Sequence, residues 1–388
     1  MQHHVSFSRR LIFTALVLSL SFVAAPARAT DYATAAELGK ALFFDPNLSK
    51  NHTQACATCH NPANAFTDPR ETAVGRAVSL GDDGTSLGDR NTPTAAYAKF
   101  APKFQRLKDG RYVGGQFLDG RELDLAGQAG GPPLNPIEMG MPDKASVVKR
   151  LWEYPPYVTA FAKLFGPKVT DDTDAAYAAM TQAIAAFEQT EEFAPFDSKY
   201  DRFLKGEAKL TDQEELGRLL FFSQQFTNCN QCHQLHAVQP AKGETFTNYQ
   251  FHNIGIPVNT AVRQANGSKP GRIDHGLLDN PAVTDKAQDG KFKVPTLRNV
   301  AVTGPYMHNG VFKDLRTTVL FYNRYNTKDP ARLINPETGK PFRVPEVPAT
   351  LSVKELTHGP ALDDKRIDAL VAFMKTLTDR RYEDLLEK

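Results

Sequence analysis

The 388-residue chain contains four cysteines, and each belongs to a Cys-x-x-Cys-His pentapeptide: Cys56-Ala57-Thr58-Cys59-His60 and Cys229-Asn230-Gln231-Cys232-His233. In such a segment both thiols can add to the vinyl groups of one haem, and the histidine that follows is held under the iron as an axial ligand. Four cysteines in an exported chain would ordinarily suggest two disulfides, and a single pentapeptide would also suit a redox dithiol or half a zinc site. Two copies that use every cysteine leave little for those readings. The pattern predicts two covalently bound haem c groups, attached at Cys56, Cys59, Cys229 and Cys232 and ligated by His60 and His233.

Each pentapeptide follows a copy of one segment, Glu37-Leu-Gly-Lys-Ala-Leu-Phe-Phe44 before the first and Glu215-Leu-Gly-Arg-Leu-Leu-Phe-Phe222 before the second. This internal repeat predicts two cytochrome c-like helical domains, residues 30–205 and 206–388, each around one covalent haem. Thr211 and Glu214 form a capping box for the second helix, whose Leu216, Leu219 and Leu220 are expected on one apolar face. Residues 143–165 and 171–193 read as helices of the first domain, the latter with Asp171, Asp172 and Asp174 near its positive end. Residues 363–377 read as a closing helix with Ile367, Leu370, Val371 and Met374 on one face, and the proline-rich residues 335–348 as a surface loop. Strand-like alternation is scarce while glycine and proline number 26 each, so the expected fold class is mainly α, with helices joined by long loops.

The first 29 residues read as a secretory leader, with Arg9 and Arg10, an apolar run over residues 11–25 and an Ala27-Arg28-Ala29 end. An uncleaved anchor is the alternative. Cleavage would leave about 360 residues, enough for two ordinary domains, and place the mature protein in the periplasm with no stable membrane span. A formal net charge of +2 offers no electrostatic support for binding nucleic acid.

These residues together resemble the bacterial di-haem cytochrome c peroxidases and their MauG-type relatives, which oxidise residues of other proteins. The likeness covers essentially the whole mature chain. Its carriers are the paired haem motifs, Arg90-Asn-Thr-Pro-Thr94, Gln116-Phe-Leu-Asp-Gly-Arg121, residues 128–139, Val294-Pro-Thr-Leu-Arg-Asn299 and Gly304-Pro-Tyr-Met-His-Asn-Gly310. The resemblance implies that the first haem is the peroxide site and that Gln128, Pro132 and Glu138 form its distal pocket. A carboxylate above an open iron can take a proton from peroxide and return it to the departing oxygen, which makes Glu138 the implied acid–base residue.

Two positions resemble the MauG type more closely. Many cytochrome c peroxidases close the first haem with a removable histidine, whereas residues 61–89 contain none, so an open iron is expected. Cytochrome c peroxidases supply a methionine to the second haem fourteen residues after the histidine of Pro-Tyr-x-His; counted from His308, that position is Tyr322. MauG-type enzymes have tyrosine there, and a phenolate lowers the potential relative to a thioether. Tyr325 is a near alternative and Met307 a weaker one. Leu118 stands where the family usually has an electron-carrying tryptophan, and the single tryptophan, Trp152, reads as core. The resemblance also implies one calcium ion, held by the Asn91 side chain and the carbonyls of Thr303 and Pro305, an oxygen-only set suited to a hard cation; otherwise Asn91 caps a turn. His252 and His308 read as fixing loops or haem propionates, and His52, His236, His275 and His358 are assigned no iron.

The function so implied is a periplasmic di-haem peroxidase that uses hydrogen peroxide to form high-valent haem iron and oxidises side chains of a partner protein. The alternatives are peroxide detoxification with electrons from a small cytochrome c or cupredoxin, and a di-haem electron-transfer protein.

Overall fold

The computed structural model describes residues 1–2, 31–239 and 241–387, so the expected leader lies almost wholly outside the described residues. The fold is mainly α: α1 (Ala35–Phe43), α2 (Cys56–Cys59), α3 (Leu125–Ala129), α4 (Lys144–Trp152), α5 (Pro155–Phe165), α6 (Thr173–Glu188), α7 (Lys199–Leu204), α8 (Asp212–Phe221), α9 (Cys229–Cys232), α10 (Thr260–Ala265), α11 (Leu315–Asn323), α12 (Val353–Leu356) and α13 (Asp364–Lys375). Strands are confined to short pieces, including three antiparallel pairs of two residues per strand: Gln105–Arg106 with Tyr112–Val113, Phe251–His252 with Phe292–Lys293, and Ile334–Asn335 with Lys340–Pro341. Among the described residues no helix is long and apolar enough to cross a membrane.

Both copies of the repeated segment begin with the same device. Thr34 and Glu37 form a reciprocal capping box at α1, and Thr211 and Glu214 form one at α8, which satisfies backbone N–H groups that a helix start leaves unpaired. The glycine of each copy then sets how closely its helix packs. A Cβ on Gly39 would lie 1.8 Å from the carbonyl oxygen of Ala183 in α6, and one on Gly217 would lie 1.9 Å from that of Ala369 in α13. Only a residue without a side chain lets these helix pairs cross at that distance. Around each crossing lies a core: Leu38, Leu42, Phe43, Phe161, Met180 and Phe193 belong to one cluster, and Leu220, Phe221, Ile367, Leu370, Phe373 and Leu377 to another.

Several helix boundaries and faces differ from the sequence reading. Residues 143–165 form two helices, because the residue before a proline disfavours the α conformation and α5 starts afresh at Pro155 after the extended Tyr154. The helix expected over 171–193 begins after its N-cap, Asp172, and stops at Glu188, followed by a 3₁₀ turn at Glu191–Phe193. Leu219 does not share the inward face of α8; it is exposed, while Gly217, Leu220 and Phe221 are buried. The seat of Gly217 on α13 fixes the helix rotation, and Leu219 lies on the far side. Trp152 packs edge-on against Phe161 in the first core.

Buried polar contacts join segments of the two cores. Tyr97 donates to Asp379 Oδ1 at 2.5 Å, and Asn299 donates to Asp379 Oδ2 at 2.8 Å. The fully buried Arg298 pairs with Asp201 at 2.5 Å and donates to the carbonyl of Glu244. Removing one partner of such a pair leaves a bare charge and costs about 3–5 kcal/mol.

Gly39→Ala and Gly217→Ala should each destabilise the protein by roughly 1–3 kcal/mol, because the added methyl meets a backbone carbonyl that cannot rotate away. Urea unfolding followed by far-ultraviolet circular dichroism checks this; an unchanged midpoint in both variants would contradict the close-crossing argument.

Candidate active site

The two pentapeptides fold as matching single turns. His60 N–H donates to the Cys56 carbonyl and His233 N–H to that of Cys229, both at 2.9 Å. All four cysteines are free. Burial pushes the thiols of Cys56, Cys59 and Cys232 up to about 12, and raises that of Cys229. Thiols so far from ionising do not suit a redox dithiol. Among the described residues no three His, Cys, Asp or Glu side chains gather into a metal-ion cage.

The imidazoles are held alike. His60 Nδ1 lies 3.2 Å from the carbonyl oxygen of Phe66, and His233 Nδ1 lies 3.0 Å from that of Phe246. A carbonyl can only accept, so Nδ1 carries the proton and Nε2 keeps its lone pair for a metal. Both phenylalanines sit in the left-handed region, with φ of 56° and 55°, which aims the carbonyl inward. Burial depresses the basicity of both rings, His233 to about 4, so both stay neutral.

Cys229, Cys232, His233 and Tyr322 line one cavity of about 370 Å³. Its apolar wall includes Phe221, Leu297, Val300, Leu315 and Leu370. Two groups in that wall, His252 Nε2 and His308 Nε2, are buried without a hydrogen-bond partner among the described residues. Two thiols, a neutral imidazole, apolar walls and unanswered polar atoms together fit a large flat macrocycle bearing polar substituents. Tyr322 is deep in this site: burial raises its hydroxyl pKa, and the nearby Cys232 and Cys229 raise it further. Tyr325 turns away, donating to the Ile254 carbonyl at 3.0 Å and accepting from Arg324 at 2.7 Å. Met307 and Met374 also line the cavity, the latter as part of the second core.

The distal segment folds as a compact knot. Gln128 lies in α3, and Pro132 opens the 3₁₀ turn Pro132–Leu134. The Pro132 carbonyl accepts from both Asn135 and Met139 N–H, at 3.2 Å each. Glu138 follows, its carboxylate accepting from Asn135 Nδ2 at 2.9 Å. Burial raises its pKa, opposed by the Arg121 charge and the Asn135 hydrogen bond. Glu138 also acts electrostatically on Cys56 and Cys59, which places it beside the first pentapeptide. The loop over residues 61–89 brings a cation to the same motif: Arg70 donates to Cys59 Sγ at 3.2 Å and pairs with Asp68.

Asn91, Thr303 and Pro305 all line the cavity wall. Asn91 Nδ2 donates to the carbonyls of Arg76 and Ala77, at 3.3 and 3.1 Å, which leaves its oxygen as an acceptor. These partners are distant in sequence, so the side chain is not a local turn cap. An amide oxygen with two carbonyls suits a hard cation. Among the remaining histidines, His308 stacks on Phe292 with centroids 3.7 Å apart and is depressed by burial to about 4, and burial also lowers His252. His52, His275 and His358 hydrogen-bond to Asn47, Asp289 and the Gln224 carbonyl.

Two ionisable groups carried no signal in the sequence. Lys293 lines the cavity beside Leu118. Glu188, 6% exposed in α6, has an Oε2 without a partner among the described residues and a pKa pushed up by burial to about 8.

The family model described as di-haem cytochrome c peroxidase matches residues 33–209. The methylamine utilization protein MauG of Paracoccus denitrificans is 56% identical to this chain over 374 residues, 96% of each. The cytochrome c551 peroxidase of Pseudomonas aeruginosa is 34% identical over 287 residues, 73% of this chain and 70% of its own. The solved diheme peroxidase of Burkholderia thailandensis has a TM-score of 0.81 and 34% identity, covering 91% of this chain and 88% of that one.

Glu188 generates a pH test. Its folded pKa is raised, so the folded protein holds a proton that the unfolded chain releases in the ordinary carboxyl range. Its contribution to stability should therefore be greatest below that range and fall as pH rises to about 8. Glu188→Gln should flatten this slope in thermal unfolding scans between those limits; an identical slope would show that Glu188 is not held neutral.

Proposed function

The chain belongs to the di-haem cytochrome c peroxidase family, on its MauG branch, and is a di-haem peroxidase-type oxidoreductase; from that premise we propose that it is an exported periplasmic enzyme that uses hydrogen peroxide to oxidise side chains of a partner protein. Membership implies two haem groups. In this reading they are covalent, one in residues 30–205 on Cys56 and Cys59 with His60, the other in residues 206–388 on Cys229 and Cys232 with His233. The observation that carries the MauG-type reading is Tyr322, a hard oxygen donor deep in the cavity that holds the second pentapeptide.

When bound, the haems supply the redox chemistry, accepting oxidising equivalents from peroxide and holding them until an electron donor arrives. The protein supplies proton handling and position. The Glu138 carboxylate takes a proton from peroxide and returns it to the departing oxygen; its raised pKa brings both of its protonation states closer to the working pH. Pro132, with no N–H, and Gln128, with an amide, shape the approach to that carboxylate. His60 and His233 present Nε2 because Phe66 and Phe246 hold their Nδ1 protons. Tyr322 would hold the haem iron of the C-terminal site through its phenolic oxygen, and Asn91, Thr303 and Pro305 would supply oxygens to a calcium ion.

Likeness to the cytochrome c551 peroxidases favours a second reading, peroxide detoxification with electrons from a small redox protein. Turnover of peroxide with reduced small cytochrome c decides between them. Negligible turnover and a long-lived oxidised form without donor are expected; fast turnover and a short-lived form would overturn the protein-oxidising function.

Glu138→Gln should slow the reaction with peroxide by about 10²–10⁴-fold. In the parent protein that rate should climb with pH as Glu138 ionises, and the climb should vanish in the variant; stopped-flow rates across pH test both points. Tyr322→Phe should alter the electron paramagnetic resonance signal of the C-terminal haem while Tyr325→Phe leaves it unchanged. The opposite pattern would assign the ligand to Tyr325.

A further inference from the structure

Among the described residues, Lys293 is a cation without a matching anion. It ends the strand Phe292–Lys293, where alternate side chains take opposite sides. Phe292 stacks on His308, and the Lys293 ammonium donates to the carbonyl of Gly115. An ammonium has three donors, and among the described residues this carbonyl is the one hydrogen-bond acceptor that meets it. Among the described residues no carboxylate pairs with it, and the acid acting on it is Asp119. That carboxylate is already taken by Arg90 at 2.6 Å and Arg121 at 2.7 Å.

The place of this charge matters as much as its isolation. Among the described residues, Lys293 is the one Lys or Arg side chain in the wall of the cavity that contains Cys229, Cys232, His233 and Tyr322. Three acids line that wall: Asp274 is paired with Arg90 and Glu346 with Arg263, and the third, Glu355, makes no ion pair with Lys293. Burial without a partner depresses the Lys293 ammonium to about 8. An ammonium is kept in such a place at a cost unless an anion joins it.

We propose that Lys293 receives a carboxylate of the group held in this cavity, one propionate of the haem attached at Cys229 and Cys232, and that the resulting ion pair raises the midpoint potential of that haem. This rests on the reading that the cavity houses the second haem. The direction follows from charge: a fixed cation opposes the more positive ferric state, and it also cancels a propionate charge that would favour that state.

Spectroelectrochemical titration of the holoprotein tests the proposal. Lys293→Met should lower the midpoint potential of the C-terminal haem and leave that of the N-terminal haem nearly unchanged, while Lys293→Arg should stay near the parent value. An unchanged C-terminal potential in Lys293→Met with full haem content would overturn it. Should the methionine variant fail to accumulate, redox-difference infrared spectra of parent protein and Lys293→Arg, both grown to carry ¹³C-carboxyl haem, serve instead. An ionised labelled carboxylate band that moves in the arginine variant is expected; a protonated band, or one that ignores the substitution, overturns the proposal. Haem-stained denaturing gels of the Cys229→Ser, Cys232→Ser double variant test the underlying reading separately. Loss of one covalent haem is expected, and retention of both would sink that reading whatever Lys293 does.

Discussion

An imidazole can bind iron through Nε2 only while its proton is kept on Nδ1, and in this protein a backbone carbonyl does that twice. The acceptors belong to Phe66 and Phe246, both in left-handed conformations that a bulky residue adopts only when its surroundings enforce them. The surroundings differ in detail but not in plan. Phe66 is stacked on Phe193 in the first core, and Phe246 packs with Phe221 and Phe373 in the second. The cores therefore set the ring orientation and tautomer of each histidine, and the glycine crossings of α1 with α6 and of α8 with α13 set the cores.

On this duplicated frame the two sites diverge through their added segments. The N-terminal motif receives a half-buried carboxylate, Glu138, and a guanidinium, Arg70, so its surroundings can move protons. The C-terminal motif faces a deep apolar cavity with Tyr322, whose hydroxyl burial keeps protonated until a metal or base claims it. One environment suits reaction with a small polar molecule; the other suits a saturated, electronically tuned centre. The difference between the surroundings of the two motifs thus comes from the segments packed beside them.

The seam between the cores is held by charge as well as by packing. Asp379 meets Tyr97 and Asn299, so one carboxylate ties together segments of the two cores. Arg298 adds a buried pair with Asp201 and lies over the rings of Tyr97, Phe196 and Phe246. Interactions of this kind add little net stability but are costly to break from one side, so they specify one relative arrangement of these segments.

Much of this was readable from residue order because the chemistry is local. Cys-x-x-Cys-His places two thiols and an imidazole on one turn wherever it folds, and the repeated Glu-Leu-Gly segment announces a duplicated helix with its cap. Local rules misled where a neighbour decided the outcome: Leu219 looks inward by helical period, yet the seat of Gly217 on α13 rotates it into solvent, and Tyr154 breaks a helix that the apolar pattern would continue. The count from His308 favoured Tyr322 but left Tyr325, three positions on and just past the end of α11, as an alternative. Their hydroxyls part because the Ile254 carbonyl, brought in by a distant segment, and the adjacent Arg324 claim the second. Lys293 and Glu188 were equally unmarked, since a charge declares itself isolated only after every other partner has been placed around it.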